Sequence, residues 1–508
     1  MSISLSSKLM ARSSKHKRKI KNLKKTNKMS TSIDKGKIIK IAIAAVLFFF
    51  LWFVPSSFLG LPNITVVEHR VIAIFALTLV LWFTEAIPSW TTSMLIVVLL
   101  LLTCSDNAIS FLKEGENIGT LLSQKAIMAE FANPTIMLFL GGFVIAIIAS
   151  KMGIDVQLAR GLLAIFGKNP KYVLLGFLLV TGIFSMFISN TATAAMMLTF
   201  MAPALRNLPS DDKGKIALVL AIPIGANIGG MGTIIGTPPN AIALDYLNNP
   251  EGLNLGISFL DWLVIMAPFA ILLLVLAWVL LINLFPFKNQ YLELNIEGET
   301  AKGPRLIIAY VTLALTIILW VTGEWTGISD KTVAMIPIAV FCVTGLFGKD
   351  DLKEINWDVL WLVAGGFALG TALNKTGLAA SLVNAIPFGN WSPLVVIIGA
   401  GLLCYFFSNI ISNTATANLL IPVMMAVGTG MGSVLDPFGG VFTLIMGVTL
   451  AASLAMILPV STPPNAIAYS TGLVDVKHMR TVGVIVGVVG LILAFTLVII
   501  VGKAGLMF

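Results

Sequence analysis

Charge is what this chain has least of. Asp, Glu, Lys and Arg make up only 11% of its 508 residues, against roughly 25% in soluble domains, and the mean hydropathy is +0.96. That poverty excludes a soluble globular enzyme and leaves a polytopic membrane protein. Cysteine and histidine are equally sparse, three of each. Cys104, Cys342 and Cys404 are far apart, without ligand spacing, and read as packing residues with no metal or redox centre. His16, His69 and His478 fall outside the expected membrane core, so no histidine proton path is supported. Walker A, HExxH and GxSxG patterns are missing, which argues against an intramembrane enzyme, and no stretch remains for an extended soluble domain.

What is present in quantity is apolar sequence. Runs long enough to span a hydrocarbon core of about 30 Å lie near 38–55, 71–87, 88–103, 135–150, 215–233, 257–285, 305–325, 331–347, 357–374, 440–458 and 480–502. They predict about eleven crossings, with apolar regions 171–207 and 392–428 left over. The formal charge of +9 is concentrated at one end, because residues 1–40 hold 13 Lys and Arg against the single acid Asp34. Such a head resembles a nucleic-acid arm in composition. Tethered to a spanning helix, it reads as a positive-inside anchor near anionic lipid, with a cytoplasmic N-terminus and no nucleic-acid partner. Counting crossings from there places 286–304 and Lys477-His478-Met479-Arg480 inside and the acidic stretch 104–134 outside.

The chain also repeats itself. Phe184-Ser185-Met186-Phe187-Ile188-Ser189-Asn190-Thr191-Ala192-Thr193-Ala194 returns as Phe407-Ser408-Asn409-Ile410-Ile411-Ser412-Asn413-Thr414-Ala415-Thr416-Ala417, 223 residues on (412 − 189). Gly236-Thr237-Pro238-Pro239-Asn240 returns as Ser461-Thr462-Pro463-Pro464-Asn465, and Gly141-Gly142-Phe143 as Gly365-Gly366-Phe367, at offsets of 225 (461 − 236) and 224 (365 − 141). Three blocks in one order at one near-constant offset make a duplicated half. In 171–207 the Ser-Asn-Thr triplet sits about 18 residues in and about 15 before Arg206, so neither arm makes a full span of about 20. A re-entrant helical hairpin with the triplet at its tip is expected there, and another in 392–428. Five crossings separate them, an odd number, so the halves are expected to be inverted and the tips to meet near the midplane. Irregular backbone is tolerated there only inside protein or beside a wet cavity. Short amphipathic stretches at 154–168 and 378–389 are expected to lie in the interface plane.

Ser, Asn and Thr carry oxygens that hold a hard cation or hydrogen-bond an anion, and a helix N-terminus at the tip favours a carboxylate without any Lys or Arg. Ser185 and Ser408, four residues before Ser189 and Ser412, are expected one turn back on the same helix face. The paired prolines remove backbone donors and free upstream carbonyls, with helix restarting at Ala241 and Ala466. Small polar residues also serve as packing glue between membrane helices, but two matched sets of tip and break point to a binding site. Glu85 and Asp261 read as helix caps or interhelical contacts. Inverted broken repeats favour alternating access over a channel or receptor.

On these motifs the chain resembles the divalent anion:sodium symporter family, the bacterial INDY-type dicarboxylate transporters, over residues 38–508. The resemblance implies an all-α inverted-repeat fold of eleven helices and two hairpins, working as a homodimer in the bacterial cytoplasmic membrane by an elevator mechanism. It implies a basic tail at 1–37, scaffold helices at 38–150 and 305–375, interfacial helices at 151–170 and 376–390, a cytoplasmic loop at 286–304, and transport-domain parts at 171–285 and 391–508. It implies one Na⁺ held by Ser185, Ser189, Asn190 and the Gly236 carbonyl, and another by Ser408, the Ile411 carbonyl, Asn413 and Ser461. The substrate, a C4-dicarboxylate such as succinate, malate or fumarate, would meet Ser189, Asn190, Thr191, Thr237 and Pro238 at one end. At the other it would meet Ser412, Asn413, Thr414, Thr462 and Pro463. The family also includes cation-independent exchangers, the alternative to Na⁺ symport.

Overall fold

The computed structural model describes residues 35–61, 63–250, 252–294, 300–385 and 391–507. Most of the basic head lies outside the described residues, as do His16 and the middle of the 286–304 segment. Among the described residues the fold is helical, with a single isolated bridge between Ser105 and Leu122.

Three helices come first: α1 (Lys35–Phe53), α2 (Val66–Thr84) and α3 (Ser89–Thr103). The first half follows with α4 (Pro134–Lys151), α5 (Ile154–Ala164), α6 (Pro170–Ser185), α7 (Asn190–Asn207), α8 (Gly214–Gly229), α9 (Pro238–Leu247) and α10 (Phe259–Leu284). After α11 (Pro304–Val321) and α12 (Met335–Val343), the second half repeats the series as α13 (Trp357–Lys375), α14 (Leu378–Ala385), α15 (Pro393–Ser408), α16 (Asn413–Met431), α17 (Gly440–Leu454), α18 (Pro463–Ser470) and α19 (Val476–Ala504). Every helix of the first half has its counterpart, so the duplication read from three short blocks extends through seven elements. The packing repeats as well: α6 lies against α8 as α15 lies against α17.

Local chemistry sets many of the boundaries. Asn133 and Asn169 each cap a helix whose first residue is a proline, Pro134 and Pro170, because the first helical N–H has no intrahelical partner to lose. Ser258 and Asp261 form a reciprocal capping box at α10, with Ser258 N donating to Asp261 Oδ2 over 2.8 Å, as the cap reading of Asp261 expects. The repeated glycine pair is a contact device. At Gly141 a β-carbon would run into Ala334, at Gly365 into Ser93, and at Gly366 into Asn418, so these positions let membrane helices approach closely.

All eleven expected crossings carry helix. Eight helices among the described residues are long and apolar enough to cross a membrane. The stretches expected at 88–103 and 440–458 are helices of only 15 residues each, about 22 Å long. The one at 331–347 is divided at Ala334. The second arm of the second hairpin is longer than its length argument allows, because α16 continues past Gly432 as a 3₁₀ turn to Phe438.

A candidate binding site between two hairpin tips

The two Ser-Asn-Thr triplets stand where the sequence expects a turn. α6 ends at Ser185 and α7 begins at Asn190, so Ser189 is the N-cap, its hydroxyl accepting from Ala192 N over 3.3 Å. Ser412 caps α16 in the same way, accepting from Ala415 N over 3.3 Å. This corrects one expectation: Ser185 and Ser189 do not share a helix face, because the chain leaves the helix between them. Instead Ser185 reaches over the tip, its Oγ 2.6 Å from the Asn190 carboxamide and 2.8 Å from the Ala226 carbonyl that accepts its proton. Ser408 repeats this with Asn413 at 2.8 Å and the Ala452 carbonyl at 2.9 Å.

The first tip is the more crowded with oxygen. The same end of the Asn190 carboxamide that meets Ser185 lies 3.1 Å from the Gly236 carbonyl and 3.3 Å from that of Ala226. With its NH₂ there, Asn190 has two protons to share among three oxygens. With its oxygen there, four oxygens converge and a cation is what they fit. Glycine makes the convergence possible: a β-carbon at Gly230 would stand 2.7 Å from Asn190 Oδ1 and 3.1 Å from the Gly236 oxygen.

The breaks are built differently from expectation in one respect. Helix resumes at Pro238 and Pro463 themselves, three residues before Ala241 and Ala466, since proline is well tolerated in a first helical turn. The loops ahead of them are pinned by the repeated asparagine. Asn240 Nδ2 donates to the carbonyls of Gly230 and Thr233 at 3.1 and 2.8 Å, and Asn465 Nδ2 to those of Met456 and Leu458 at 2.8 and 2.9 Å. The loops are also tied to the tips, but by hydroxyls three positions apart. Thr233 donates to the Met186 carbonyl, whereas in the second half Ser461 donates to the Asn409 carbonyl over 2.9 Å.

Both tips and both breaks line one cavity of about 470 Å³, within the range of small-molecule sites. Its wall includes Ser189, Asn190, Thr191, Gly236, Thr237 and Pro238 from one half, and Ser412, Asn413, Thr414, Ser461, Thr462 and Pro463 from the other. Ser185, Ser408 and Ile411 stand behind the wall, buried. No Lys or Arg lines this cavity, while Glu85 and Asp358 do. Four helices, α7, α9, α16 and α18, begin at its wall and turn their positive dipole ends to it, with free first-turn N–H groups coming from α7 and α16 because α9 and α18 each open on two prolines. A second cavity of about 340 Å³ shares Phe143, Ser189, Thr191 and Asn356 with it and extends past Ser150, Asp155 and Glu354 toward the end of α4.

Sequence reasoning missed the Ala226 and Ala452 carbonyls, the carboxylates in the wall, and Asn227. Glu85 is the C-cap of α2, as expected, with φ +46°, but it also faces the cavity. His69 and His478 do not line it. Cys104 and Cys404 are buried and Cys342 is exposed.

Comparison with known proteins follows the same line. Residues 79–444 match the citrate transporter family. The sodium-dependent dicarboxylate transporter SdcS of Staphylococcus saprophyticus is 30% identical over 504 residues, spanning 91% of this chain and 90% of the relative. Its namesake from Staphylococcus aureus strain USA300 is 30% identical over 82% of each chain. Among solved structures, Neisseria gonorrhoeae MtrF gives a TM-score of 0.52 at 11% identity, covering 81% of this chain and 94% of its own. The YdaH transporter of Alcanivorax borkumensis gives 0.51 at 10%, covering 82% and 99%. At those identities the likeness is one of fold.

Proposed function

The chain belongs to the citrate transporter family, of the divalent anion:sodium symporter kind, and from that membership we propose that it moves C4-dicarboxylates across the membrane coupled to Na⁺. As a member it is a multi-pass membrane transporter and not an enzyme. The observation that carries the reading is the pair of hairpin tips on one cavity, each an asparagine carboxamide beside a buried serine hydroxyl that donates to a carbonyl near the end of the helix before the break.

The substrate carboxylates lie one at each tip. Asn190, Thr191, Thr237 and the N-termini of α7 and α9 serve one end, and Asn413, Thr414, Thr462 and the N-termini of α16 and α18 the other, with Ser189, Pro238, Ser412 and Pro463 completing the wall. A dianion in a cavity without a Lys or Arg, and with Glu85 and Asp358 already present, carries a desolvation and repulsion cost that needs positive charge. Na⁺ supplies it, held at the first tip by Ser185, Ser189, Asn190 and the Gly236 carbonyl. At the second it is held by Ser408, the Ile411 carbonyl, Asn413 and Ser461. The curated relatives named as sodium-dependent dicarboxylate transporters support both substrate class and ion.

Transport follows an elevator scheme, with 171–285 and 391–508 moving against a scaffold of 38–150 and 305–375. With the basic head inside, the second cavity opens toward the cytoplasm. Uptake of labelled succinate into proteoliposomes tests the proposal. Uptake with Na⁺ outside, lost when K⁺ or choline replaces it, is expected; uptake indifferent to Na⁺ and dependent on preloaded dicarboxylate would overturn it.

A further inference from the structure

Thr237 and Thr462 hold equivalent places at the two ends of the cavity, yet their hydroxyls are not equivalent. Thr462 Oγ1 accepts two hydrogen bonds, from Asn465 N at 3.3 Å and from Asn227 Nδ2 at 3.1 Å. A hydroxyl has two acceptor lone pairs and one proton. With both lone pairs engaged, the Thr462 proton is the only group it has left to offer. Thr237 makes no such cap bond, so its hydroxyl is free to turn.

Asn227 crosses from the first half to the second to do this. It stands on α8 one residue after the Ala226 carbonyl that meets Ser185, and its Nδ2 also lies 3.3 Å from Asn465 Oδ1. Its own Oδ1 is buried and has no hydrogen-bond partner among the described residues, so all of its polar contact is on the NH₂ side. A leucine there would fill similar space and remove the unpartnered Oδ1, while taking the donor from Asn465 Oδ1 as well as from Thr462. The reciprocal tie is missing. By the register of Ala226 with Ala452, the residue matching Asn227 is Ser453, whose hydroxyl is likewise buried without a partner, as is the Oδ1 of Asn240.

The geometry points to Asn227 as a positioning residue that fixes the Thr462 hydroxyl as a donor to one carboxylate of the substrate, making the second-half end of the site the preorganised one. This rests on the dicarboxylate reading of the cavity. A carboxylate accepts and never donates when ionised, so a hydroxyl that can only donate favours an ionised end over a protonated one, which has less acceptor capacity, whereas a free hydroxyl at Thr237 tolerates an acceptor or a donor.

The test is a double-mutant cycle of Asn227→Leu and Thr462→Val, read as labelled-succinate binding to purified protein in saturating Na⁺, with Na⁺ half-saturation measured separately. Asn227→Leu is expected to weaken succinate binding about 10-fold, one hydrogen bond to a charged group, and to leave Na⁺ half-saturation unchanged. Added to Thr462→Val, it is expected to cost nothing further. Equal losses in both backgrounds, a shift confined to Na⁺, or wild-type binding by the single variant would overturn the assignment. If the leucine variant does not purify as a folded protein, Asn227→Ser, which puts the residue of position 453 at 227, takes its place with the same expectations. A wild-type protein that binds no succinate would overturn the dicarboxylate reading itself, a result separate from succinate binding that ignores Asn227.

Discussion

Ser185 Oγ stands 2.6 Å from the carboxamide of Asn190, two residues on opposite sides of a tip joined only by the turn between α6 and α7. Ser408 and Asn413 repeat the pair at 2.8 Å. If both pairs carry Na⁺ and substrate, Asn190→Ala and Asn413→Ala each remove a ligand at a buried site, costing about 1.5–3 kcal/mol for an interaction with a charged group. The expected outcome is a 10- to 150-fold rise in half-saturating Na⁺ or succinate. Membrane insertion and the elution profile should stay unchanged. Uptake near the wild-type level by either variant would remove that tip from the site.

Gly230 offers a sharper probe because the atoms nearest a β-carbon there belong to Asn190 and Gly236. The β-carbon of Gly230→Ala would lie 2.7 Å from Asn190 Oδ1 and 3.1 Å from the Gly236 oxygen, closer than nonbonded carbon and oxygen sit at rest. Gly161→Ala, in α5 with open space around it, is the control. Sodium-dependent uptake should fall at least about 10-fold in the first, for an overpacking cost of about 1–3 kcal/mol, and remain intact in the second. Equal activity of the two would mean that the first tip tolerates displacement and does not hold an ion.

The outcome for Gly230 bears on how much of this site can be read from sequence. The repeated blocks locate both tips and both breaks, because a triplet of small polar residues and a Pro-Pro pair interrupt otherwise apolar runs. Ser185 does not share a helix face with Ser189 but meets Asn190, since a spacing of four places two residues on one face only in a helix that runs through both, and this helix ends at Ser185. Helix restarts at Pro238 and not at Ala241 because proline, a breaker inside a helix, is well suited to a first turn. Asn227, Glu85 and Asp358 reach the cavity only through packing between helices distant in the chain. Periodicity reports which residues share a face, and it carries no information about which other face that one meets.

Lys151, at the end of α4, meets Asp351 on the loop before α13 at 2.7 Å, with the aspartate side chain only 11% exposed and the lysine 42%. Burial would raise the Asp351 carboxyl, but hydrogen bonds from Lys151 and from Gly348 N, together with the lysine charge, hold it below the ordinary carboxylate range. A depressed folded-state value means the stabilisation is complete above the unfolded value near 4 and is lost as pH falls through the lower folded one. Asp351→Asn should therefore lower thermal stability in detergent at pH 7 by about 1 kcal/mol, with the difference from wild type constant from pH 6 to 8 and shrinking below about 4. A difference that grows on acidification would show the pair is not what stabilises this junction.

Away from the tips, the parts proposed to move against each other touch between α4 and α9. Thr135, on α4 in the proposed scaffold segment, donates to Asp245 Oδ1 over 2.9 Å, and Asp245 belongs to α9, which begins at the cavity wall with Pro238. On the same face Thr371 of α13 donates to Glu130 Oε1 over 2.6 Å. If α9 rides with the moving part, the Thr135–Asp245 contact must break in every transport cycle. A Thr135→Cys, Asp245→Cys pair, placed in a background where Cys104, Cys342 and Cys404 are alanine, brings two thiols within reach of a short cross-linker. Cross-linking should abolish succinate uptake, and a cleavable linker should restore it on reduction, while succinate binding to the cross-linked protein persists. Each single cysteine variant should be insensitive to the reagent. Transport by the fully cross-linked protein would mean that α4 and α9 move as one body, and the boundary of the mobile part would then have to lie elsewhere.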